Sequence, residues 1–66
     1  MEKVEIARIF TFGCANRRDI VRRLMGTSKA FQGLTFADAL SAYRFAETSG
    51  LVDVTEHYIV VYHDIA

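Results

Sequence analysis

Hydrophobic positions along this chain fall into patterned stretches punctuated by glycines. From Arg17 to Met25, the residues Ile20, Val21, Leu24 and Met25 recur at helical spacing, as expected of an amphipathic helix with one buried stripe. Asn16 supplies an N-cap, Asp19 stands at the third helical position, and Gly26 reads as the stop. A second helical pattern opens at Thr35, with Asp38 three residues on, and Phe36, Ala39, Leu40, Tyr43 and Ala46 form its face. Ala42 and Phe45 fall outside that stripe. This helix either lies deep in the fold or offers Phe45 to a partner. Ser49-Gly50-Leu51 ends it, since glycine accepts the left-handed backbone of a helix terminus and an apolar residue follows.

The remaining pattern is that of strands. Val52 and Val54 read as a short strand, and Tyr58-Ile59-Val60-Val61-Tyr62 as a second one covered on both faces. Between them Thr55-Glu56-His57 lacks Gly or Asn, which predicts a turn longer than two residues, or a bulge. The first stretch, Val4 to Phe12, reads two ways. As a strand it puts Val4, Ile6, Phe10 and Phe12 on one face, interrupted by Arg8; as a helix it groups Ile6, Ile9, Phe10 and Gly13. Its β-branched and aromatic content leans to strand. The polar connection from Thr27 to Gly33 carries one large apolar residue, Phe31, expected to fold back onto the core or to extend the preceding helix by a turn.

Size changes the picture. A chain of 66 residues is one domain, residues 1–66, and a body this small buries a modest share of its surface. With 52% apolar residues, some apolar surface must stay outside, and exposed apolar patches mark interfaces. A homodimer or a complex with another protein is the expectation. Cys14 is the single cysteine, so no internal disulfide forms, and a lone thiol fits a reducing, cytoplasmic setting. The N-terminal MEKVEIARIF carries four charged residues and does not read as a signal peptide. No apolar run approaches the roughly 20 residues needed to span a bilayer.

Formal charge is zero overall but unevenly placed. Residues 1–33 hold seven basic against three acidic residues, net +4, and residues 34–66 hold one basic against five acidic, net −4. The cluster Arg17-Arg18-x-x-Arg22-Arg23 is the densest concentration of charge. Arg18 and Arg22 stand one turn apart on the solvent side, with Arg17 nearer the core edge. Guanidinium groups there suit carboxylates or phosphates, through paired hydrogen bonds. Asp19 precedes Arg22 and Arg23 by three and four residues, the order that favours helix ion pairs.

Little points to catalysis. Cys14, His57, His63 and Asp64 lack the paired spacing of a zinc site, and no glycine-rich loop or oxyanion-hole pattern accompanies Cys14. No cofactor, metal site, membrane association or small-molecule substrate is expected, and the chain is read as a non-enzyme.

In order of elements, the chain resembles winged helix-turn-helix domains over residues 4–63. NRRDIVRRLMG is similar to their second helix, ALSAYRFAETSGLVDV to the third helix running into the first wing strand, and YIVVYHD to the returning strand. The resemblance implies an α+β fold with helices packed on a C-terminal β-hairpin. The competing arrangement starts with a strand, a β-α-α-β-β sandwich in which the first strand pairs with the last. Winged helices bind DNA through the third helix and wing. Here those positions offer Ser41 and Arg44 beside Asp38 and Glu47, then Glu56 and His57, which is not a basic surface. The link from Thr27 to Thr35 is also longer than the family's tight turn. Protein binding, the other use of the family, tolerates this surface better. The reading is therefore a non-catalytic protein-binding module, a small regulator or inhibitor, with Phe45, Tyr58 and Tyr62 as apolar contacts and Arg18 and Arg22 as polar ones. The alternative is a small DNA-binding transcriptional regulator using Arg17, Arg18, Arg22, Arg23 and Lys29.

Overall fold

The computed structural model describes residues 2–65. Five elements follow one another: β1 (Lys3–Phe10), α1 (Arg17–Thr27), α2 (Phe36–Thr48), β2 (Val52–Val54) and β3 (Tyr58–Asp64). The class is α+β, with two helices on a three-stranded antiparallel sheet ending in a hairpin. The strand order is β1-β3-β2, so the first strand pairs with the last.

Both helices start as their caps predict. The Asn16 side chain accepts from the Asp19 N–H at 3.0 Å, and Thr35 Oγ1 from the Asp38 N–H at 3.1 Å. Their ends differ from expectation in one case. Gly50 does terminate α2, at φ 72°, with the Leu51 N–H returning to the Ala46 carbonyl. Gly26, by contrast, lies inside α1, which runs on to Thr27 and is closed by the Ser28 N–H on the Leu24 carbonyl. A glycine marks a stop only where the backbone turns left-handed, and Gly26 is not among the glycines with positive φ.

The core lies between the helices and one face of the sheet. Val21 and Leu24 of α1, Ala39, Tyr43 and Ala46 of α2, and Ala7, Ile9, Ile59 and Val61 of the sheet form it, with Phe31 and Leu51 closing its margins. Phe31 folds back as expected. On β1 the inward residues are Ala7 and Ile9, not the even-numbered set, because a bulge between Glu5 and Ala7 shifts the register. One inserted residue exchanges the two faces of everything beyond it. Phe10 and Arg8 consequently share the face turned away from the helices.

The hairpin connection is Thr55-Glu56-His57, three residues, as the lack of Gly or Asn predicts. The Thr55 N–H donates to the Tyr58 carbonyl, while the Tyr58 N–H donates to Thr55 Oγ1 at 3.0 Å. A hydroxyl stands in for a backbone carbonyl, and Glu56-His57 turns the chain with no positive φ outside glycine among the described residues. No helix among these residues is long and apolar enough to cross a membrane.

Candidate functional site

The five residues expected to contact a protein fall on three surfaces. Phe45 stands on the outward side of α2, 68% exposed. Beside it a groove of about 500 Å³ runs between α2 and the sheet, lined by Ile6, Phe31, Ala42, Phe45 and His63 among others. Arg18 and Arg22 are exposed on α1 as read, and the Arg22 guanidinium lies 4.7 Å from the ring centre of Phe36.

Tyr58 and Tyr62 lie on the open face of the sheet, both half-buried. β3 is the central strand, which excludes it as an edge for another chain to join. Its Ile59 and Val61 enter the core, so the alternation turns Tyr58, Val60 and Tyr62 outward. Val60 is nevertheless only 4% exposed; its register partners are Arg8 and Asp53. Phe10 and Tyr58 stack with ring centres 4.7 Å apart, Arg8 lies 5.7 Å from the Tyr58 ring, and Lys3 sits 4.3 Å from the Tyr62 ring centre. Arg8 Nη2 also donates to Glu5 Oε1 at 2.8 Å, which holds the Glu5 carboxyl below its ordinary pKa. Burial, reinforced by a hydrogen bond with Asp53, raises the Tyr62 phenol. This face is a polar and aromatic lattice laid over one valine.

The arginine cluster does not act as a unit. Arg17 is exposed at the core edge, where it lines a cleft with Tyr43 and Ile59, and donates to Glu47 of α2 at 2.7 Å. Arg23 Nη1 donates to the carbonyls of Phe10, at 2.9 Å, and Phe12, bracing the chain as it leaves β1. Asp19 pairs with neither Arg22 nor Arg23; its carboxylate accepts from the Ala15 N–H at 2.9 Å and helps to set the start of α1. Of the set assigned to nucleic acid, Arg17 and Arg23 are thus engaged within the fold, leaving Arg18, Arg22 and Lys29 outermost.

The sequence reading missed Phe10, Phe12 and the edge of β1. Phe12 is 90% and Phe10 61% exposed. They went unrecognised because a strand with a hidden bulge assigns Phe10 to the buried face. Among the described residues, no three His, Cys, Asp or Glu side chains cluster as a metal site. Comparison of the chain with protein-family models, curated proteins and solved structures finds no match.

Proposed function

We propose that this chain is a non-catalytic protein-binding module, a small regulator or inhibitor, and that a second copy of itself is its first partner. One observation carries the reading: three of the five phenylalanines, Phe10, Phe12 and Phe45, stand outside the core. Exposed aromatics of this size favour burial on association. The single cysteine, Cys14, is a free thiol, in keeping with a reducing, cytoplasmic setting.

The nucleic-acid alternative draws on fewer side chains, since two of its arginines already have partners within the fold. Affinity for DNA rests on phosphate neutralisation, and three cations supply little of it.

Sedimentation equilibrium tests the proposal. The expected result is a mass rising toward twice 7.5 kDa at concentrations on the order of 100 µM, within the range where exposed apolar surface drives association. A constant 7.5 kDa mass overturns the self-association, and sequence-selective DNA binding near physiological salt overturns the ranking of the two readings.

A further inference from the structure

We propose that two copies of this chain join through the outer edges of their β1 strands, in a register that sets Glu5 of each opposite Arg8 of the other. The inference rests on the self-association proposed above and names the surface that makes it.

The sheet has two edges of unequal reach. β2 offers three residues, whereas β1 offers eight, without proline. Which backbone groups of β1 face outward follows from the bonds at its two ends. The Thr11 N–H donates to the His57 carbonyl, and the Ile65 N–H to the Glu2 carbonyl, both toward β3. Alternation from each end, with the bulge between, turns the N–H and C=O groups of Lys3, Glu5, Arg8 and Phe10 to the open edge. The bond from Arg23 to the Phe10 carbonyl agrees with this assignment. Two edge carbonyls are already engaged, Phe10 by Arg23 and Ile6 by Ser28 Oγ; Glu5 and Arg8 line clefts bounded by Thr27, Ser28 and Lys29.

The bulge selects the register. Opposed residues in an antiparallel pair point to the same face, so two regular copies of one strand pair about a two-fold axis only between residues of equal parity. Here the bulge reverses parity midway. Pairing Glu5 with Arg8 of the second copy then also pairs Lys3 with Phe10 and Val4 with Ile9, each couple on one face of the sheet. This register uses all eight residues of β1. It sets the outward backbone groups of Glu5 against those of Arg8 and the Phe10 N–H against the Lys3 carbonyl, the Phe10 carbonyl staying with Arg23, and brings Lys3 against an aromatic ring. Centring the pair on Arg8 instead opposes two arginines, and centring it on Val4 engages only Lys3 to Glu5. The Glu5–Arg8 ion pair within each chain, exposed at 2.8 Å, becomes half of a four-charge cluster across the axis. Charge complementarity between identical edges thus identifies the partner as a second copy, and the product is a continuous six-stranded sheet.

A mixing experiment tests this. Glu5→Arg places two arginines on each edge, and Arg8→Glu places two glutamates there. Each variant alone opposes like charges across the axis, while a one-to-one mixture restores opposite charges between chains and not within them. Both positions are exposed, so the fold is expected to persist, and far-UV circular dichroism checks that it does. In sedimentation equilibrium the expected result is a dimer for the natural chain, a dissociation constant raised about tenfold or more for each variant alone, as like charges across an interface demand, and a dimer again for the mixture. If each variant alone dimerises as the natural chain does, or the mixture fails to recover, the β1 register is wrong while self-association stands. If the natural chain is itself monomeric, the self-association has failed first.

Discussion

Tyr43 shows how one side chain links the core to the surface. It is 2% exposed, yet it lines a cleft with Arg17 and Glu47. Burial raises its phenol above the ordinary 10.0, the Glu47 carboxylate adds to the rise, and Arg17 opposes it. A phenol raised in the folded state stabilises the fold fully below its unfolded value, and that contribution is lost as pH rises through the folded one. Melting temperature should therefore fall as pH climbs above 10.0, and Tyr43→Phe should soften that fall. Tyr62, raised by burial and Asp53, keeps its share in both proteins. Thermal melts of the two across the alkaline range check this, and parallel curves would show that Tyr43 does not titrate late.

The elements record how far sequence patterning reaches. Both helices were legible because their caps are local, with Asn16 and Thr35 each accepting from a backbone N–H three residues on. The α+β class, the C-terminal hairpin and the inward fold of Phe31 were legible too. β1 was legible as a strand but not in its facing, because a bulge leaves no mark in composition, and its alternation names the wrong face beyond Glu5. The length of the hairpin turn was legible from its lack of Gly and Asn, whereas the part that the Thr55 hydroxyl plays in closing it was not. The candidate surfaces were half legible. Phe45 stood out by falling off its helical stripe, whereas the pairing of Arg17 with Glu47 needed the two helices side by side. Gly26 yields an element-scale test. It sits within α1, and a methyl group there meets open space. Gly26→Ala should raise stability by about 0.5–1 kcal/mol, the entropic cost of glycine within a helix, measured by urea denaturation. A loss of stability would place the end of α1 before Gly26 after all.

At the scale of the molecule, a basic first half meets an acidic second half, and Arg17–Glu47 ties α1 to α2 across that divide. Exposed pairs of this kind contribute little to stability, so the fold rests on its single core. That core occupies one side of a three-stranded sheet; the other side and the β1 edge remain available to a partner. The contact proposed for this domain, with its own copy along β1, would show at single amides. Amide hydrogen exchange, followed by NMR at dilute and concentrated protein, tests it most directly. The outward amides of Lys3, Glu5, Arg8 and Phe10 are expected to exchange more slowly as concentration rises toward the order of 100 µM. Those of Val52 and Val54, on the short opposite edge, should keep their rates. Exchange along β1 that is identical at both concentrations would contradict it.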